Sequence, residues 1–112
     1  MINTPDVWVI VELHGSKVEN GSYHRILAGW FGGYLGGDSW QVNSGITKIV
    51  DCDTFWEIHG VSGSIYNCHK TVERLNGMTS SIYNKWCKDS NEELAIKMIP
   101  ISDCLPAYLK EN

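Results

Sequence analysis

The sequence predicts an α+β fold: a small antiparallel β-meander or half-closed barrel, followed by one C-terminal helix and a closing strand. Three observations carry this expectation. β-Branched and aromatic runs alternate with Gly, Asn and Asp turn signals at intervals of about ten residues through the first two thirds of the chain. Beyond Asn76-Gly77 the pattern changes, and Ile82, Tyr83 and Trp86 fall at helical spacing. A last apolar run, Leu94–Ile99, then ends at Pro100. At 112 residues the chain has the size of one domain, spanning 1–112.

Val7–His14 is the clearest strand, with Val7, Val9, Val11 and Leu13 on one face and Trp8, Ile10, Glu12 and His14 on the other. The second face passes from apolar to polar, so the strand is expected to be covered on both sides at one end only. Lys17–Ser22 contains Asn20-Gly21, a tight-turn signal, and Tyr23–Trp30 returns as the partner strand. The stretch Gly29–Trp40 interleaves Gly with Trp, Phe and Tyr, which predicts a bent ribbon or loop. Trp40–Asn43, Ile46–Val50, Phe55–His59 and Ser64–His69 are short strands, separated by Ser44-Gly45, Asp51–Thr54 and Gly60–Gly63. A helical turn at Val72–Leu75 would be interrupted by Asn76-Gly77, and the main helix would run from a Thr79 or Ser80 cap to Asp89. The tail, 101–112, is expected to pack loosely or fray.

Hydrophobic residues make up 43% of the chain and charged residues 20%, a globular balance. The net charge of -4 argues against a nonspecific nucleic-acid binder, which needs a basic footprint. The start Met1–Asp6 has neither a basic region nor a long apolar stretch, and no segment is long and apolar enough to span a membrane. A cytoplasmic protein is expected, with Cys52, Cys68, Cys87 and Cys104 as reduced thiols. No C-x-x-C pair is present.

Two segments stand out chemically. In the first, Trp30–Ser44, aromatic faces can stack on a base and Asp38 can accept from a base edge or ribose; the same residues also read as a twisted hairpin with aromatics in the core. It lacks both the P-loop pattern and G-x-G-x-x-G. The second, His59–Lys70, gathers Ser62, Ser64, Tyr66, His69 and Lys70 around a tight turn, suiting an anion or a nucleotide, or simply a Ser/Gly hairpin. A nucleophilic Ser62 or Ser64 would need His59 or His69 in reach, with Asp51 or Asp53 behind it. Cys52, His59, Cys68 and His69 are acceptable zinc ligands, but adjacent Cys68 and His69 point to opposite faces of a strand, so no metal is expected. Asp51, Asp53 and Glu57 read as a solvated turn.

The segments from Trp30 to Ile46 and from His59 to Lys70, read as W-F-G-G-Y-L-G-G-D-S-W-Q-V-N-S-G-I and H-G-x-S-G-S-x-Y-x-C-H-K, resemble small accessory proteins encoded by bacteriophages. The resemblance spans about residues 7 to 90 and carries no assigned reaction. It implies a setting, action on host or defence machinery by binding a protein or by sequestering a small nucleotide-derived signal. The density of Trp, Tyr, Gly, Ser and Asn, with few catalytic candidates, favours sequestration in the host-cell cytoplasm, without catalysis and without a cofactor. Trp30, Tyr34 and Trp40 would stack on that ligand. Asp38 and Asn43 would read its polar edges, and Ser62, Ser64, Tyr66, His69 and Lys70 would surround its phosphate. The alternatives are a protein-binding inhibitor of a host or defence protein, using the same aromatics as anchors, and a small hydrolase or nuclease using His59 or His69. A homo-oligomer would be a natural way to build a composite pocket from short chains.

Overall fold

The structure, a computed structural model, describes residues 2–18, 22–32 and 37–110. Two antiparallel meanders are laid down in succession. The first comprises β2 (Val7–His14), β3 (Ser22–Trp30) and β4 (Ser39–Val42); the second comprises β5 (Ile46–Asp51), β6 (Phe55–Gly60) and β7 (Ile65–His69). A short β1 (Ile2–Asn3) runs parallel to β7. After helix α1 (Gly77–Asp89), strand β8 (Ala95–Ile99) closes on β2, and a one-turn α2 (Leu105–Tyr108) leads into β9 (Leu109–Lys110) beside β5. The result is a five-stranded sheet, β1-β7-β6-β5-β9, and a four-stranded sheet, β4-β3-β2-β8.

Alternation along β2 explains the layers. Trp8 and Ile10 point into a core shared with Ile26 and Ala28 of β3 and with Ile49, Ile58, Tyr66 and Cys68 of the five-stranded sheet. Val9, Val11 and Leu13 point the other way, into a second cluster with Leu27, which Ile82, Tyr83 and Trp86 of α1 cover. The order is therefore sheet, sheet, helix. Glu12 and His14, at the polar end of the first face, are only half-buried, as the sequence pattern requires.

Of the two expected forms, a meander and a half-closed barrel, the chain takes the meander: its sheets are stacked and open. At Asn43 the strand ends because the side chain takes over the ladder: its Oδ1 accepts from the Ile26 N–H at 2.8 Å, while its own N–H donates to the Ile26 carbonyl. Gly45, at φ 127°, then turns the chain into the other sheet.

The helix begins earlier than its expected cap. Asn76 and Gly77, read as an interruption, are its start: Asn76 Oδ1 accepts from the Thr79 N–H while Thr79 Oγ1 accepts from the Asn76 N–H, a reciprocal capping box. The turn before it is a 3-10 turn at Lys70–Val72. The segment after Pro100, expected to lie loosely, is packed: Ile101 and Cys104 are buried, and the Tyr108 hydroxyl lies 2.7 Å from His24 Nδ1. On the other side of the ring, His24 Nε2 lies 3.0 Å from Glu12 Oε2, so a Glu–His–Tyr chain ties the tail to the four-stranded sheet. Burial pushes the Tyr108 hydroxyl above its ordinary pKa and the Cys104 thiol up to about 12.

The two edges of the four-stranded sheet differ. At β8 the outward N–H groups are capped by α1 and by the Ser90 that ends it: Met98 donates to Tyr83 Oη at 2.9 Å and Ile96 donates to Ser90 Oγ at 3.2 Å. Tyr83→Phe removes one of these acceptors, and the expected loss is about 1 kcal/mol in urea unfolding. An unchanged midpoint would show that water replaces the hydroxyl without cost.

Candidate functional site

Between α1 and the β4 side of the four-stranded sheet lies a cleft of about 440 Å³, within the size range of small-molecule pockets. Strand register builds it. Val11 and Leu13 of β2, Arg25 of β3, Trp40 and Val42 of β4 and Ile96 of β8 share the helix-facing side, and Gln41 contributes at the β4 rim. Trp86 comes down from α1 and meets Trp40 edge to face, with ring centroids 5.8 Å apart and planes at 75°.

A glycine lets the helix approach closely enough to form this roof. A Cβ at Gly29 would stand 2.8 Å from Thr79 Cγ2 and 3.2 Å from Asn76 Nδ2, so the first turn of α1 rests directly on β3. Thr79 is fully buried there.

Arg25 is the one cation of the lining. Its Nη2 donates to Tyr23 Oη at 2.8 Å and its guanidinium lies over the Tyr23 ring at 5.2 Å. Its Nε is buried without a hydrogen-bond partner, and no described carboxylate forms an ion pair with it. A guanidinium on an aromatic face beside two indoles is chemistry suited to a flat ligand bearing an anionic group.

The residues singled out from sequence are distributed over several places. Trp40 lines the cleft and is 41% exposed. Trp30 is half-buried against the inter-sheet core, with Nε1 donating to the Thr4 carbonyl. Asp38 accepts from the Gly32 N–H at 2.7 Å and closes the base of the β3–β4 connection; Tyr34 lies outside the described residues. Asn43 is buried in its strand-ending role, and Tyr66 is buried in the shared core, which pushes its hydroxyl above the ordinary pKa.

Ser62 and Ser64 form a hydroxyl cluster with Ser44 at the β6–β7 turn: Ser44 Oγ is 3.0 Å from Ser62 Oγ, which is 3.2 Å from Ser64 Oγ. His69 is exposed and its ring lies 5.8 Å from that of Phe55. Lys70 pairs with Asp51 at 2.7 Å and lies 4.3 Å over the Trp56 ring, and the lysine holds the Asp51 carboxyl below its usual pKa. Trp40 and Asn43 thus belong to β4 and its end, whereas Ser62, Ser64, His69 and Lys70 belong to the other sheet and the turns around it.

His59 Nε2 lies 2.7 Å from Glu57 Oε1, and neither His59 nor His69 hydrogen-bonds to a serine among the described residues. Those residues also contain no group of three or more His, Cys, Asp or Glu arranged to hold a metal ion. No described helix is long and apolar enough to cross a membrane.

Sequence reasoning missed Arg25 and Trp86. Arg25 is a lone cation in an apolar strand, S-Y-H-R-I-L-A-G-W, a signal that could have been noticed. Trp86 falls at the helical spacing of Ile82 and Tyr83, and its meeting with Trp40 depends on where the helix lands.

Fold and cleft together define a mixed α+β domain of two stacked sheets with a covering helix and an aromatic, singly cationic cleft beneath it. No protein-family model, curated protein or solved structure matches the chain.

Proposed function

We propose that this protein is a non-enzymatic binding module that holds a small, flat, anionic ligand of nucleotide-like chemistry in the cleft beneath α1. The observation that carries the reading is the lining itself: Trp40 and Trp86 offer ring faces and edges, Val11, Leu13, Val42 and Ile96 exclude water, and Arg25 supplies one fixed positive charge. A base would stack against Trp40, and its phosphate or equivalent acidic group would meet the positive charge of the Arg25 guanidinium that lines the cleft. The resemblance to phage accessory proteins gives the ligand a setting, a nucleotide-derived signal of host defence held out of circulation in the host cytoplasm.

Intrinsic tryptophan fluorescence reads the site directly, because two of the five Trp line it. Titration with adenosine monophosphate is expected to change the emission and saturate, with adenosine binding about tenfold more weakly, since a charged hydrogen bond contributes roughly 1.5–3 kcal/mol. In Arg25→Gln the two ligands should bind alike. If neither compound nor a cyclic dinucleotide changes the emission, the cleft is not a nucleotide site.

One observation favours a second reading, a protein-binding inhibitor. Phe31 is 51% exposed at the end of β3, near the exposed Trp40, and a pair of accessible aromatics can anchor a protein partner.

A further inference from the structure

Among the described residues, β4 differs from the other terminal strands of the two sheets. β8 is capped by Tyr83 and Ser90, and β1 and β9 are two residues long. β4 has four residues, Ser39-Trp40-Gln41-Val42, with no charge, proline or bulge among them. Those are the features by which sheet edges avoid pairing.

The direction of its free groups follows from the register. Asn43 and Ile26 are joined by the Asn43 N–H donating to the Ile26 carbonyl, so position 43 is a hydrogen-bonded site of the β3–β4 ladder. Antiparallel sites alternate, which turns Gln41 and Ser39 toward β3 and leaves the N–H and C=O of Trp40 and Val42 facing outward. Among the described residues no strand pairs with that side.

We infer that β4 pairs antiparallel with β4 of a second copy of this chain, about a two-fold axis at Gln41, and that the second copy completes the cleft. The register is self-complementary. Outward groups of Trp40 meet those of Val42 in the other copy, and the reverse, while the two Gln41 residues stand opposite each other. A carboxamide both donates and accepts, so Gln41 can bond to its own copy. Every side chain in the contact is uncharged, which removes the repulsion that like charges directly opposite would impose.

The consequence reaches the site. Residues directly opposite in an antiparallel pair lie on the same face of the sheet, with Cα atoms about 5.5 Å apart at a hydrogen-bonded pair. The partner copy's indole at position 40 therefore stands beside Val42 on the helix-facing side, where Val42 lines the cleft. Two clefts would face each other across the axis, each with a third indole at its mouth. Pairing rests on the β4 edge alone; only the shared wall rests on the proposed binding function.

Native mass spectrometry and sedimentation equilibrium of the full chain test it. The expected mass is twice the 12.6 kDa of one chain. Gln41 is exposed, so Gln41→Glu and Gln41→Lys should fold, as far-UV circular dichroism would verify, and each should sediment at the single-chain mass. Mixing the two variants should restore the doubled mass as a heterodimer. A wild-type chain that remains single at high protein concentration overturns the pairing. So does a dimer that persists unchanged in both variants, which would locate the interface on another surface. Either result leaves the nucleotide titration to be judged separately, since a single chain retains its own Trp40, Trp86 and Arg25.

Discussion

Trp8→Ala should cost about 3–5 kcal/mol, the usual range for deleting a buried aromatic, and so remove a large share of a domain stability of roughly 5–15 kcal/mol. Trp8 is fully buried between the two sheets, opposite the small Ala28 on β3, and packs among Ile10, Ile26, Tyr66 and Cys68. Its Nε1 donates to the His69 carbonyl at 2.8 Å, where β7 ends. Alanine would leave a cavity and strip that carbonyl of its partner at once. Trp8→Phe separates the two contributions: most of the ring area stays, the donor goes, and the expected loss falls to about 1–3 kcal/mol for the unsatisfied group. Urea denaturation of both variants is the measurement. If alanine costs no more than phenylalanine, the ring is not the keystone between the sheets.

The identity of Trp8 as a core residue was legible from alternation alone. So were the strands of both meanders, because turn chemistry at Gly60–Gly63 and Ser44-Gly45 is local and β-branched runs lie between such signals. What alternation does not contain is which meander lies on which. A half-barrel and two stacked sheets use the same alternating faces. In the structure β4 ends where the Asn43 side chain replaces a backbone acceptor, and that role is a matter of three-dimensional reach.

The same limit explains the site. Trp40 could be picked out because an aromatic in a Gly-rich stretch is conspicuous. Its partners Arg25, Trp86 and Ile96 lie on three different elements, and they converge only because β8 pairs with β2 and α1 crosses that face. The Ser62–Lys70 segment was equally conspicuous, yet its groups satisfy one another or neighbouring side chains: Ser62 with Ser44, Lys70 with Asp51.

Gly15→Ala should destabilise the chain by about 3 kcal/mol or more and loosen the cleft with it, because two separate penalties act at one atom. Gly15 sits at φ 132°, a conformation that side-chain-bearing residues rarely adopt. Its missing Cβ would stand 2.5 Å from the Glu93 carbonyl oxygen and 2.9 Å from the Leu94 nitrogen, and backbone cannot swing aside as a flexible side chain would. The contact matters because this is where β2 grips the α1–β8 connection: Ser16 and Lys17 donate their N–H groups to the Glu92 and Glu93 carbonyls, and Lys17 also pairs with Glu93 at 2.9 Å. That connection sets the spacing between Trp86 on the helix and Ile96 on the strand, two walls of the cleft. Thermal unfolding is therefore expected to show a lowered midpoint, and in the folded population the fluorescence titration should show weakened nucleotide binding, although Gly15 touches no part of the cleft. Gly63→Ala is the control. It carries the same kind of positive φ, at 91°, but open space where the Cβ would go, so it should pay the conformational penalty without the clash and leave binding as it was. Equal destabilisation by the two substitutions would mean that the close approach to Glu93 contributes nothing, and that the helix and β8 are held in place by the packing of Tyr83, Trp86 and Ile96 alone.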